Sequence, residues 1–445
     1  MMRRLNLFQA MMLRWRELYP YSAVHALRVD EALAAGRLEG VIAATLEERG
    51  LTGLQLDCRR ARYVWGGGAA SAQVHVIAPG ANAAVTLDHE IERQLNIAFA
   101  ADGKFDPFRF FAVDTGAFFH LGVAYDHVVA GGDSVACLLM DIADRYRSRS
   151  RGAQTGRSPY APPYAELFWR EKAALVAGLS TLHRLVSECR HTARPRYASP
   201  EDGYNAFTRF RIDAAGYAAL GEAAATWGVA RQDLILAMTL LALSPLAPAR
   251  RNAPRRRELA LASIVNIRRE LGSEASDTFG PCLASFRVAH PVPFDIALRE
   301  LAIAVHEQTE RVKRWKLYLQ TLLAMALAGL EWRFLSRARR LRFYAKHYPV
   351  WAGVTPLNVA ALREGPGENS APQYVRAVST GPLAPMILAL TTSGPGVEVG
   401  ISFRTTVYSR EAVQRLATDM LDSIDCLAHG ACRERRLDAD TLVTS

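Results

Sequence analysis

A mixed α/β chain organised as two lobes is what the sequence predicts, and three observations predict it. Residues 118–146 read as a dense β-favouring run, a tight glycine-rich loop and an amphipathic helix. Helical and strand patterns alternate on both sides of a polar, proline-bearing stretch, RHTARPRYASPEDG, at residues 190–203. Half of the 445 residues are apolar, enough to fill a core in each half. The expected lobes are residues 1–195, with the loop 126–134, and residues 196–445.

Each element follows from local pattern. Leu38, Val41, Ile42, Thr45 and Leu46 share one helical face, and Gly50 is placed to end that helix. Tyr63–Trp65 and Gln73–Ile77 read as strands. Gly66, Gly67 and Gly68 between them read as a flexible turn, because no GK[ST] follows to make a phosphate loop. Phe118, Phe119, Leu121, Val123 and Tyr125 form the β-run, and Val135, Leu138, Leu139, Ile142 and Tyr146 recur at helical spacing after it. Gly131 and Gly132 give the intervening loop backbone freedom, Ser134 is the expected N-cap, and Asp133 lies where the helix dipole favours negative charge. A basic connector from Arg147 to Pro163 precedes a helical stretch from Ala165 to Cys189.

In the second half, Ala206–Ile212 reads as a strand and is followed by a helix-turn-helix stretch. Leu259–Ile267 reads as a buried strand after the basic loop Arg250–Arg257. Leu317–Leu330 is the most apolar run; it is too short to span a bilayer and reads as a buried helix. Val397, Val399, Ile401 and Phe403 alternate as in a half-buried strand. Ser409 opens a last helix with Val413, Leu416, Met420, Ile424 and Leu427 on one face.

The net charge of +10 and pI near 9.5 favour anionic partners. No zinc-finger, RNP or basic-helix pattern accompanies that charge, so nucleic acid is not the expected partner. Six scattered cysteines without a CxxC pair suggest neither a zinc site nor a disulfide framework. No metal is expected, and the protein reads as cytoplasmic. The first 21 residues lack the apolar core and small-residue cleavage site of a signal peptide.

His127 is the candidate catalytic group. A strand end followed by a small-residue turn can hold one imidazole rigidly, and a neutral imidazole can take a proton from an attacking hydroxyl or amine. The other histidines, His120 and His290 among them, have no such setting and read as structural or exposed.

Asp126, His127, Gly131, Gly132 and Ser134 together resemble the HHxxxDGxS signature of the condensation-domain and CoA-dependent acyltransferase superfamily. That group includes peptide-synthetase condensation domains, wax ester synthases and chloramphenicol acetyltransferase. Asp126 stands at the first His and Gly131 at the Asp, so two signature positions differ. Further segments resemble the family in order: Leu95–Phe99 and Asp106–Arg109 look like the strand entering the active-site hairpin. Val265–Arg268 is similar to its "vNlR" segment, Phe279–Cys282 to the glycine-led strand after it, and Pro356–Val359 to its "NV" segment.

The resemblance implies a pseudo-dimer of two chloramphenicol-acetyltransferase-like lobes in a V with a central tunnel. His127 would be the general base, and Gly280 and Asn358 would line the tunnel. The donor would be a phosphopantetheine thioester, on an acyl or peptidyl carrier protein acting in trans or as acyl-CoA. The acceptor would be a small-molecule amine or alcohol. No cofactor would be bound permanently, and a monomer would suffice. The basic runs would receive an acidic carrier or CoA. The family's aspartate pairs with an arginine of the second lobe, for which Arg268 is the candidate. With Gly131 in its place, either Asp133 reaches Arg268 or backbone bonds alone hold the loop. Asp126 could raise the His127 pKa or face away in a structural role. Three functions follow: a free-standing condensation-type acyltransferase of natural-product biosynthesis, an acyl-CoA-dependent O-acyltransferase of a lipid or small alcohol, and an inactive relative that binds a carrier or acyl ligand.

Overall fold

The structure, a computed structural model, describes residues 2–70, 72–148, 158–246, 255–272, 278–291, 296–362 and 373–429. Most of the two basic runs, at 149–157 and 247–254, lies outside the described residues.

The strands are β1 (Arg3–Arg4), β2 (Ser22–Val29), β3 (Leu54–Asp57), β4 (Arg62–Trp65), β5 (Val74–Ile77), β6 (Gly103–Lys104), β7 (Phe108–Asp114) and β8 (Phe119–Asp126). They continue as β9 (Asn205–Ile212), β10 (Glu258–Asn266), β11 (Leu283–Pro291), β12 (Ala352–Asn358), β13 (Tyr374–Val378), β14 (Met386–Ser393) and β15 (Gly396–Arg404). The helices are α1 (Leu7–Arg16), α2 (Ala35–Glu48), α3 (Ala83–Asn96), α4 (Gly132–Tyr146), α5 (Ala165–Arg170) and α6 (Lys172–His191). After them come α7 (Ala214–Trp227), α8 (Arg231–Leu243), α9 (Leu298–Arg314), α10 (Tyr318–Trp332), α11 (Arg337–His347) and α12 (Arg410–Ala428).

Two large sheets organise the chain. The first has the order β13-β2-β8-β7-β5, and the second has the order β11-β10-β12-β14-β15-β9. A small sheet, β1-β4-β3-β6, stands beside the first. The second sheet is built wholly from the second half of the chain. The first sheet is not: β13 leaves the second half and pairs antiparallel with β2, Arg376 opposite His25. The expected boundary at residue 195 therefore has one strand crossing it.

All eight residues of β8 are buried, as its apolar text requires. One face of the first sheet packs on Leu87, Ile91 and Leu95 of α3. That helix corrects the strand expected at Leu95–Phe99: Leu95 and Asn96 end α3, whose N-cap Asn82 accepts from Ala84 N and Val85 N. The spacing of Leu87, Ile91 and Leu95 is one turn each, so the apolar stripe belongs to a helix.

The second core lies between α8, α12 and the second sheet. Asp213 caps α7 and Gly228 ends it in the left-handed region, φ 68°. β15 is buried at all nine positions rather than on alternate ones. Its other face is covered by the crossing strand. A side chain at Gly400 would collide with the Arg376 carbonyl oxygen, so glycine is required where the two strands approach. α10 also departs from expectation. It occupies the predicted run, but Leu327 and Leu330 are 55% and 60% exposed, so it is buried on one side only. Among the described residues no single helix is long and apolar enough to cross a membrane.

Gly400→Ala tests the crossing. Overpacking of this kind costs about 1–3 kcal/mol, and a backbone carbonyl cannot rotate away. The urea midpoint should fall at unchanged slope. Gly36→Ala in α2, where nothing lies within 4 Å, should leave it unchanged or higher.

Candidate active site

The site starts where β8 ends. The Asp126 carboxylate is wholly buried and pairs with Arg16 of α1. Its Oδ1 also accepts from Val128 N at 3.1 Å. It therefore anchors the strand end through Arg16 and the Val128 amide.

His127 follows in the turn. Its Nδ1 lies 3.0 Å from the Ala130 carbonyl oxygen. A carbonyl only accepts, so Nδ1 carries the proton in the neutral ring and Nε2 keeps its lone pair. Tyr21 stacks on the ring at 5.6 Å and 14°, and Tyr125 meets it edge-on at 5.8 Å. Burial lowers the His127 pKa below its ordinary value, the Ala130 bond opposes that shift, and the Arg376 guanidinium adds to it. The imidazole is therefore neutral at neutral pH.

The loop then enters α4. Gly131, not Ser134, is the N-cap, with φ −92° and no side-chain cap bond. Neither Gly131 nor Gly132 is in the left-handed region, so their requirement is for space, not backbone freedom. A methyl group at Gly131 would sit 2.9 Å from Asp133 Oδ1 and 3.3 Å from Pro281 Cα. One at Gly132 would sit 3.1 Å from Arg376 Nη1 and 3.6 Å from His25 Cε1.

Asp133 supplies the carboxylate that Gly131 lacks. Arg268 Nε donates to its Oδ2 at 2.9 Å, and Asn266 Nδ2 donates to the same oxygen at 2.9 Å. Ser134 N donates to Oδ1 at 2.8 Å. Ser134 sits in the first turn of α4, where its Oγ accepts from Arg268 Nη2 at 3.2 Å. Arg268 also reaches the carbonyls of Thr278 (2.8 Å) and Gly280 (3.2 Å). Burial works against ionisation of Asp133, but Arg268, Asn266 and the Ser134 amide outweigh it and hold the pKa below the usual carboxylate range. The ion pair ties the start of α4 to the end of β10.

Gly280 and Asn358 make local contacts. A side chain at Gly280 would run into Ala161, so the glycine permits close packing of the segment before α5. Asn358 is exposed, and its Oδ1 accepts from Ala361 N at 3.1 Å to begin a short 3-10 turn. Neither was brought into contact with His127.

Residues without a motif complete the site. His25 on β2 is buried, with Nδ1 2.7 Å from the Tyr374 hydroxyl and Nε2 3.3 Å from the Tyr125 hydroxyl. Burial, then Arg376, pushes its pKa well below the ordinary value. Arg376 is 3% exposed. Its Nε donates to Thr391 Oγ1 (2.9 Å), and its Nη2 donates to the carbonyls of Thr355 (2.7 Å) and Leu390 (3.0 Å). Burial lowers its pKa to about 10, so it stays cationic at neutral pH. Among the described residues no carboxylate forms an ion pair with it. The sequence signal for either residue is a polar side chain flanked by apolar neighbours in a strand.

Two predictions follow from these contacts. Asp133→Ala leaves Arg268 buried without its counter-charge and should cost about 3–5 kcal/mol in chemical denaturation. Adding Arg268→Met should recover part of that loss, giving a non-additive double-mutant cycle. The second concerns protons. His25 and His127 are held neutral when folded and can charge when unfolded. Their contribution is complete above the ordinary imidazole value of 6.5 and is lost as pH falls towards their depressed values. Arg376→Met should raise the His127 pKa, read by titration of its ring protons in NMR.

No protein-family model matches the sequence, and no curated protein matches it. Solved structures do. The first condensation domain of the CDA synthetase is similar with a TM-score of 0.66 and 15% identity, covering 98% of each chain. The EpoB NRPS cyclization-docking bidomain from Sorangium cellulosum gives a TM-score of 0.69 at 11% identity, over 96% of this chain and 85% of that one. The condensation domain of the Monacolin K polyketide synthase MokA gives 0.64 at 13% identity, over 98% of each. At these identities the likeness is one of fold: the chain has the condensation-domain fold.

Proposed function

We propose that the protein is a condensation-type acyltransferase that moves an acyl group from a pantetheine thioester to an amine or hydroxyl. The observation that carries this reading is the tautomer of His127: Nδ1 is tied to Ala130 O, which leaves a basic Nε2 on a neutral ring. Nε2 takes the proton of the acceptor N–H or O–H as the heteroatom attacks the thioester carbonyl. The tetrahedral oxyanion forms in a field made positive by the α4 N-terminus and Arg376. Collapse breaks the C–S bond, and the imidazolium returns its proton to the leaving thiolate. Base, proton and acyl group all balance without a covalent enzyme intermediate. Pantetheine on an acidic carrier protein and pantetheine on CoA are both donors that suit a chain with a net charge of +10.

The test is turnover of acyl-pantetheine, acyl-CoA and acyl-carrier donors with amine and alcohol acceptors, read by mass spectrometry. Wild type should form product, and folded His127→Ala should lose about 10²–10⁴-fold in rate. Equal turnover by both would remove His127 as the base. The acid limb of kcat/KM should have its midpoint below the ordinary imidazole value of 6.5, because burial lowers the pKa.

A further inference from the structure

Exposed apolar side chains gather on one face of the molecule. Eleven large apolar or aromatic side chains are exposed among the described residues, and eight of them lie between Trp169 and Val186 or between Trp315 and Phe334. These two stretches are adjacent in space. Lys316, just before α10, donates to Glu171, just before α6, at 2.6 Å. A side chain at Gly178 of α6 would touch Gln320 of α10, and Val186 and Leu327 line the mouth of one cavity. The helices α6 and α10 therefore run side by side in the same direction.

The α6 part is a stripe. Lys172, Val176, Leu179, His183, Val186 and Arg190 recur every three or four residues, share one helical face and are all exposed. Gly178 and Cys189, on another side of the helix, are buried. Leu327 and Leu330 extend the open apolar surface along α10. A contiguous apolar patch with a polar rim marks an interaction site.

The rim shows which partner fits. Trp169, Trp315 and Phe334 are 79%, 60% and 81% exposed. Each is next in sequence to an exposed arginine: Arg170, Arg314 and Arg333. The nearby acids are largely taken, Glu171 by Lys316 and Glu188 by Arg184. That leaves Arg170, Lys172, Arg190, Arg314 and Arg333 in these stretches against Glu166 and Glu331 alone. An aromatic ring beside a guanidinium suits the headgroup zone of a bilayer, where the ring sits against acyl chains and the cation meets lipid phosphate. A second copy of the chain would instead set these cations against themselves. No single described helix is long and apolar enough to cross a bilayer, so the contact is with its surface.

We propose that the α6–α10 face docks on an anionic phospholipid leaflet. The helix α6 lies in the plane of the interface, with Val176, Leu179 and Val186 at the acyl boundary and Arg170, Arg314 and Arg333 on lipid phosphates.

The full-length protein is sedimented with phosphatidylcholine vesicles and with mixed phosphatidylglycerol–phosphatidylcholine vesicles. Wild type should bind the anionic vesicles saturably and the neutral ones about tenfold or more weakly. Leu179→Glu, at an exposed position where folding is spared, should weaken binding by about tenfold or more. Arg170→Gln, Arg314→Gln and Arg333→Gln should each weaken it about fivefold. Val85→Glu, equally exposed but on α3, should bind as wild type. Lipids brominated on the acyl chain should quench the wild-type tryptophan fluorescence, and the double variant Trp169→Leu, Trp315→Leu should bind without that quenching. The proposal is overturned if anionic vesicles do not bind, if neutral vesicles bind as tightly, or if Leu179→Glu binds as wild type. A dimer in light scattering that Leu179→Glu dissolves, without vesicle binding, also overturns it and makes a second copy the occupant.

Discussion

Arg376 is the point on which the two halves of the chain and the chemistry of the loop both depend. It stands on the strand that crosses from the second half into the first sheet, directly opposite His25. Its guanidinium turns back to bond Thr391 and the carbonyls of Thr355 and Leu390 in the second sheet. One side chain thus belongs to both sheets. A buried charge without a carboxylate is costly unless its donors are met. Oxygen acceptors of the second sheet meet two of its nitrogens, while its positive potential reaches His25 and His127. The same group that fastens the crossing strand adds to the burial that keeps the imidazole unprotonated.

The second fastening is the ion pair of Asp133 with Arg268. It shows that the position of a charge in space matters more than its position in the text. Gly131 leaves room, and Asp133 two residues later fills it with its Oδ1, bonded to the Ser134 amide. The helix start keeps a carboxylate where its dipole favours one, and the arginine from the second half keeps its partner.

Local features were legible in the sequence, and long-range ones were not. The run from β8 through the loop to α4 is written in neighbouring residues, so its strand, turn and helix could be read directly. The helix α3 is also written there, in Leu87, Ile91 and Leu95 after Asn82, while the resemblance placed a strand from Leu95 to Phe99, over its last two residues. The alternation in β15 suggested one buried face; both are buried because β13 lies across it. No local pattern could announce that cover, since it comes from a different sheet. His25 and Arg376 were invisible for the same reason. Each is a polar residue flanked by apolar ones in its strand, and only the pairing of strands far apart in sequence brings them together. Asp133 lies between the two cases: its proximity to Arg268 could be suggested, but only the packed loop brings its carboxylate to the arginine, beside the Thr278 and Gly280 carbonyls.

The crossing strand also bears on what can be divided. In the first sheet β13 covers the outer side of β2, a strand buried at seven of its eight positions. A fragment ending near residue 195 would leave β2 as a long apolar edge with a row of unpaired amides and carbonyls. Such an edge recruits strands from other molecules. The halves look like modules, yet the first cannot close its own sheet. They are bound to fold, to be inherited and to be engineered as one piece.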